Sequence, residues 1–374
     1  MIEELIKELD RKNVQLTCTD GKLKFSGPEN EITPELLSRL KENKELLIKY
    51  LTSQGQKNES FPDSKSLILF LENKNYKFQI ENTRLIYTPP LTGHNEEVEN
   101  AITKHYRNLY YYYWPLPNKN LVPIQPEGSA DPFFIVHGEQ ASPIMKTVFG
   151  PEMPLFDFFH QSEDGSKMNY RGIKKMAKYY LDQLLLIKNE GEYMLGGYSF
   201  GGLLAYEMAL QMKAMGKKIK LLILIDTVTP KFKGWEVKPK FNFYSVTKRF
   251  KYYISDPYKE WYKKNVTCNK YFLRKEPLPP ELRQFYIINN YIIDSKKYKP
   301  SKFEGKLYLI TAEGQKQYEQ KDPYLGWKDF IKGDIEVITT PGNHFDIIKN
   351  PENAKSLSKV IKQIAEKEMM LNRD

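Results

Sequence analysis

Cysteine is nearly absent from this chain of 374 residues: Cys18 and Cys268 are the only two. Two thiols far apart in sequence offer neither a disulfide framework nor zinc-ligand spacing. Histidine is scarce as well, with five residues, so no metal centre is expected. No run of eighteen apolar residues occurs, which excludes a transmembrane helix. The opening stretch, Met1-Ile2-Glu3-Glu4-Leu5-Ile6-Lys7-Glu8-Leu9, carries acids where an export signal needs a basic and then an apolar segment. A cytoplasmic location is the expectation.

Hydrophobic residues are plentiful at 40% and charged residues stand at 28%, so a sizeable core is available and whole-chain disorder is excluded. The net charge of +10 is concentrated. Residues 231–302 hold eighteen Lys and Arg against six Asp and Glu, while the first fifty residues hold nine against ten. A basic zone of this kind attracts an acidic protein, nucleic acid or a membrane surface, or is simply a solvated lysine-rich face.

Residues 1–51 read as a small unit. Leu5, Ile6 and Leu9 have helical spacing, and Val14, Leu16, Leu23 and Phe25 mark two short strands around Asp20-Gly21. Thr33-Pro34-Glu35 starts a helix, with Thr33 as cap and Pro34 in the first turn. Leu36, Leu37, Leu40, Leu46, Leu47 and Tyr50 continue its apolar stripe. The alternation of Lys22 and Lys24 with Leu23 and Phe25 puts the charges on one face of the hairpin. The apolar pair is expected to pack on Leu36, Leu40 and Leu47.

A polar linker occupies 52–66, and residues 67–114 then repeat the first unit. A shift of 62 aligns Leu5 with Leu67, Leu9 with Leu71, Leu23 with Leu85 and Tyr50 with Tyr112. The second copy has Asn82-Thr83 in place of Asp20-Gly21 and ends in Tyr110-Tyr111-Tyr112-Tyr113-Trp114, which suggests a diverged binding face.

From Leu121 onward apolar strands alternate with amphipathic helices, the pattern of an α/β sheet. Strands are expected at 132–136, 193–196, 220–225, 306–310 and 335–338. Helices are expected at 173–187, 201–215 and from Ala354 to about Met369. Residues 230–302 interrupt the alternation with aromatic, basic, mostly helical sequence.

Gly197-Tyr198-Ser199-Phe200-Gly201 lies between a strand and a helix, the context of a nucleophile elbow. A serine hydroxyl is a weak nucleophile and needs a base that is itself oriented by an acid. His344, in the turn after the last strand, fits the chain order; His94, His105, His137 and His160 do not. For the acid, Asp226 after the 220–225 strand is the first candidate and Glu313 the second, while Asp346 lies too near His344. An oxyanion needs two N–H donors. Phe200, after the serine, supplies one, and Glu139 in the loop His137-Gly138-Glu139-Gln140 supplies the other.

At these residues the sequence resembles the type I thioesterase domains of non-ribosomal peptide and polyketide synthases. The similar stretches are Leu121–Pro126, Phe133–Gly138, Leu195–Glu207, Leu224–Thr227 and Pro341–Phe345, within 119–374. The resemblance implies an α/β-hydrolase fold, favours Asp226 as the acid, and makes 230–302 a helical lid. Where many members have His-Pro-x-Gly-Gly, this chain has His137-Gly138-Glu139-Gln140-Ala141. Residues 1–51 resemble the tubulysin-synthetase type of N-terminal docking domain, a small α+β helix–hairpin–helix module. That resemblance implies capture of a C-terminal segment of an upstream synthase subunit by Lys22, Leu23, Lys24 and Phe25.

The expectation is a thioesterase without a cofactor of its own, acting on acyl or peptidyl chains delivered on the phosphopantetheine arm of a carrier protein. A stand-alone serine esterase leaves the docking module unexplained, and an idle scaffold leaves Ser199, Asp226 and His344 unexplained. Nucleic acid and membranes are not expected partners, since no recognition motif accompanies the basic zone.

Overall fold

Leu5 and Leu9, one helical turn apart, begin a small core at the start of the chain. A computed structural model describes residues 2–12, 14–19, 22–28, 31–48, 61, 63–90, 96–116, 119–232, 256–315 and 322–370. The chain divides into two units, Met1–Pro115 and Leu116–Asp374. The Asp20-Gly21 turn, His94, most of the 52–66 linker and lid residues 233–255 lie outside the described residues.

The first unit opens with the helix Ile2–Arg11, followed by the antiparallel strands β1 (Gln15–Thr19) and β2 (Lys22–Ser26) and the helix Pro34–Glu42. The Thr33 hydroxyl caps that helix by accepting the Leu36 N–H at 3.3 Å. Leu5, Leu9, Val14, Leu36, Leu40 and Leu47 form the core, with Leu16 and Leu23 packed at its edge. Phe25 departs from expectation: it is 44% exposed. So small a module has a short apolar stripe, and Leu16 and Leu23 cover it from the hairpin.

Helix Ser64–Asn73, β3 (Lys77–Glu81), β4 (Arg84–Thr88) and helix Glu96–Lys104 repeat this order, each displaced by 62 residues from its counterpart. The repeat starts earlier than the 67 read from sequence, because Asp63 accepts the Ser66 N–H at 2.8 Å and caps the helix there. Asn82 and Thr83 both take left-handed φ values, 45° and 66°, and so close the hairpin without glycine. Part of the aromatic run belongs to the module's own core. Tyr110 is fully buried and donates to the Thr83 carbonyl at 3.1 Å, and Tyr113 stacks on Phe78 at 4.5 Å.

The second unit is built on a seven-stranded sheet. Its strands are β5 (Leu121–Gln125), β6 (Phe133–Val136), β7 (Leu155–Phe158), β8 (Glu192–Tyr198), β9 (Lys218–Ile225), β10 (Leu307–Ala312) and β11 (Ile335–Thr340). The order is β11-β10-β9-β8-β6-β7-β5, all parallel except β5, which runs against β7. Leu221, Ile223 and Ile225 join one core with helices Ala141–Phe149 and Pro351–Met370. Leu222 and Leu224 alternate to the other face, which is covered by helices Phe200–Ala214 and Ile173–Ile187. Strands buried on both faces need continuous apolar sequence, which β6 and β9 have. This is the α/β-hydrolase fold.

Between β9 and β10 stand the helices Asp256–Leu273 and Pro280–Lys297, the described part of the segment expected to be a lid. The second is pinned to the sheet domain. Asp294, buried near its end, accepts a fork from Arg171 (2.8 and 3.0 Å) and the Gly172 N–H at 2.9 Å. Tyr298, just beyond, donates to Glu207 of the Phe200–Ala214 helix at 2.7 Å. Among the described residues no helix is long and apolar enough to cross a membrane.

Candidate active site

Parallel strands bring their C-terminal ends to one edge of the sheet, and the chemistry-bearing residues collect there. Ser199 follows β8 and begins the helix Phe200–Ala214, with φ 54° and ψ −117°. A non-glycine residue holds such a conformation only when its surroundings enforce it. Here the Ser199 N–H donates to Ile225 O at 2.9 Å, and the Thr227 hydroxyl donates back to Ser199 O at 3.1 Å. The glycine at 201 is required by close approach, since an added Cβ would lie 2.2 Å from Val136 O.

The Ser199 hydroxyl lies 3.0 Å from His344 Nε2, and His344 Nδ1 lies 2.5 Å from Asp226 Oδ2. Asp226 is buried at the end of β9, also with a left-handed φ of 45°. Its N–H donates to Ile310 O at 2.7 Å, and Oδ1 accepts the Ala312 N–H at 3.2 Å. The carboxylate is thus fixed by β10 on one side and faces the imidazole on the other. His344 is oriented further by Tyr198, whose hydroxyl donates to its carbonyl at 2.5 Å and whose ring stacks on it at 5.2 Å.

Glu313, the second candidate acid, is exposed on the 3-10 turn Glu313–Gln315 after β10, whereas Asp226 meets His344. Asp346 pairs with Asn343 inside the His344 turn. His105 belongs to the first unit and faces the Phe61 carbonyl. His137 is buried against Tyr180, and burial, with His160 beside it, holds its imidazole well below the usual range.

Phe200 is the first residue of the elbow helix, whose leading N–H groups have no intrahelical acceptor. Glu139 sits in the loop after β6, and β6 pairs directly with β8, setting Val136 opposite Gly197. That loop is held by a buried carboxyl which sequence reading did not single out. Asp157 on β7 accepts the Gly138 N–H at 3.1 Å and the Ser142 hydroxyl at 2.6 Å. Burial pushes its carboxyl up to about 7 despite these bonds. Tyr198, Thr227 and Trp327 were also missed. Trp327 is buried and donates to Thr227 O at 2.7 Å, propping the strand end that carries Asp226. Only the position of Tyr198 and Thr227 beside candidate residues could have drawn attention to them.

A serine on a strained strand-to-helix turn, a histidine in reach of it and a buried carboxylate behind the histidine define the site of an α/β-hydrolase. Comparison with known proteins narrows this class. Residues 137–240 match the thioesterase domain, and residues 2–53 match the TubC N-terminal docking domain. Malpinin synthetase of Mortierella alpina is 26% identical over 258 residues, covering 65% of this chain and 3% of that protein. Polyketide synthase PksR of Bacillus subtilis (strain 168) is 43% identical over 56 residues, covering 15% of this chain and 2% of that one. The chain therefore spans a small fraction of these curated relatives. A solved NocB thioesterase domain, in covalent complex with a fluorophosphonate nocardicin G analog, has a TM-score of 0.47 at 21% identity. That match covers 65% of this chain and 98% of the solved one.

Proposed function

We propose that this protein releases an acyl or peptidyl chain from the phosphopantetheine arm of a carrier protein through an acyl-serine intermediate. The observation that carries the reading is the Ser199–His344–Asp226 relay in a chain that also holds a docking domain. Ser199 Oγ attacks the thioester carbonyl as His344 Nε2 takes its proton. The C–S bond then breaks, and the same proton passes to the departing pantetheine sulfur. Water, or a nucleophile within the chain, attacks the acyl-serine ester in turn with His344 as base, giving hydrolysis or cyclisation.

Asp226 holds the imidazole in the tautomer with Nδ1–H and stabilises the cation that forms. The Phe200 and Glu139 N–H groups take the negative charge that develops on the carbonyl oxygen. The hairpin residues Lys22, Leu23, Lys24 and Phe25 receive the C-terminal segment of an upstream subunit, in keeping with strand addition to an exposed edge. Phe25, exposed on β2, which pairs with β1 alone among the described residues, supports that role.

Intact-protein mass spectrometry after exposure to an acyl-carrier thioester tests the proposal. The expected result is a covalent acyl adduct that disappears in Ser199→Ala. An adduct on another residue, or turnover unchanged in Ser199→Ala, would refute it.

A further inference from the structure

Beside the relay, three side chains that it does not use converge on the two residues assigned as oxyanion donors. His160, in the segment after β7, places Nε2 at 2.9 Å from Glu139 Oε1 and Nδ1 at 3.2 Å from the Tyr291 hydroxyl. Tyr291, on the lid helix Pro280–Lys297, lays its ring on that of Phe200 with centroids 3.9 Å apart and planes within 3°. The His137 ring closes the cluster, 3.8 Å from His160 and parallel to Tyr291 at 5.5 Å. Tyr291 is 6% exposed, so the stack is an interior one.

With the proton of His160 on Nε2, Nε2 donates to the Glu139 carboxylate and the Tyr291 hydroxyl donates to Nδ1, while His137 Nδ1 is buried with no hydrogen-bond partner among the described residues. Two features make this more than packing. Glu139 has φ 48°, a conformation that a non-glycine loop residue keeps only under restraint, and its carboxylate is anchored by His160. The second is that one imidazole ties Glu139 to the very tyrosine that covers Phe200. Both donor-bearing residues are therefore held by one network that reaches into the lid.

We propose that His160 and Tyr291 are positioning residues for the oxyanion hole, through which the lid helix sets the placement of the Glu139 and Phe200 N–H groups. The proposal rests on the reading of Ser199 as nucleophile with those two donors. His160 and Tyr291 act through Glu139 and Phe200 and take no proton from substrate. With the network intact the two donors are fixed before substrate arrives. Once it is cut, they must be ordered as the tetrahedral centre forms.

The test uses the full chain, hexanoyl N-acetylcysteamine thioester as substrate and hexylboronic acid as a mimic of the tetrahedral adduct on serine. His160→Phe keeps a ring against His137 but removes both hydrogen bonds. It is expected to lower kcat by about ten- to a hundredfold, less than the loss of a whole donor, with KM within about twofold. The boronic acid's inhibition constant should rise by a similar factor, a readout that a merely structural role would not move selectively. Glu139→Ala, which keeps the backbone N–H, should match it, and the double variant should be no worse than either single one. His160→Gln, which can still donate to Glu139, should recover part of the loss.

Unchanged kcat and unchanged boronic acid affinity in His160→Phe, with Ser199→Ala inactive, would overturn the positioning role alone. Activity persisting in Ser199→Ala would overturn the underlying nucleophile instead. If His160→Phe fails to fold, Glu139→Ala and Tyr291→Phe decide the matter. Normal kcat and boronic acid affinity in both would refute the proposal.

Discussion

Asp226 and Glu313 both follow apolar strands, and sequence order alone admits either as the acid behind His344. What separates them is backbone chemistry: Asp226 is buried, tied to Ala312, and 2.5 Å from the imidazole, whereas Glu313 is exposed on its turn. Asp226→Asn is expected to lower kcat on the order of 10⁴-fold, by analogy with other triads. Glu313→Gln should change it little; the reverse pattern in steady-state kinetics would make Glu313 the acid. Asp157 supplies a different prediction. Its carboxyl is raised to about 7, above the unfolded value near 3.9, so the folded state binds the extra proton between those limits. Its contribution to stability is full below the unfolded pKa and is lost as pH rises through about 7. Asp157→Asn, still able to accept from Gly138, should therefore flatten the fall in Tm between about pH 4 and about pH 7, the span over which only the folded state keeps the proton. An equal slope in both proteins, followed by thermal melts across that range, would show that Asp157 is not the group responsible.

Among elements, the elbow was legible because its signals are local: a strand, the Gly197–Gly201 sequence and a helix follow one another directly. The repeat of helix and hairpin was legible for the same reason, since Leu67 and Leu71 recur at the buried positions of Leu5 and Leu9 in the first copy. β7 was not, because Leu155-Phe156-Asp157-Phe158 is four residues long with a carboxylate inside it, and burial of that charge depends on a partner loop. The His160–Tyr291 contact and the Arg171–Asp294 fork join residues more than a hundred positions apart, and no spacing rule relates them. That fork ties the helix Pro280–Lys297 to the sheet domain. Arg171→Ala leaves the Asp294 carboxylate, 5% exposed, without its main counter-charge. Arg171 itself is 38% exposed, so the cost is set at about 2 kcal/mol, below that of a fully buried pair. Hydrogen exchange should quicken in the helix Pro280–Lys297 while β8 and β9 keep their protection. Uniform acceleration across the sheet would mean that the fork supports the whole fold rather than the lid.

At the scale of the whole molecule, two properties bear on the proposed delivery of substrate. The basic excess of residues 231–302 includes Lys263, Lys296 and Lys297, all exposed on the lid helices, while Lys233 lies outside the described residues. Under the proposed function such a face would steer an acidic carrier. Reversing those three charges should raise KM for a carrier-bound thioester, most strongly at low ionic strength, and leave a small soluble thioester unaffected. An equal rise for both substrates would assign the lysines to lid packing. The docking domain makes the second and larger claim. Among the described residues its core of Leu5, Leu9, Val14, Leu36, Leu40 and Leu47 lies within the first fifty, so removing residues 1–51 takes that cluster away whole. Hydrolysis of a small thioester should survive that deletion. Release from the cognate synthase at micromolar concentration should fall steeply, because a docked subunit presents its carrier at an effective concentration of roughly millimolar. Phe25→Ala, at an exposed position outside that core, should reproduce much of the loss without the deletion. Equal release by the full chain, the deletion and Phe25→Ala would sink the docking role. Loss of small-thioester hydrolysis on deletion would place the module within the hydrolase's own stability instead.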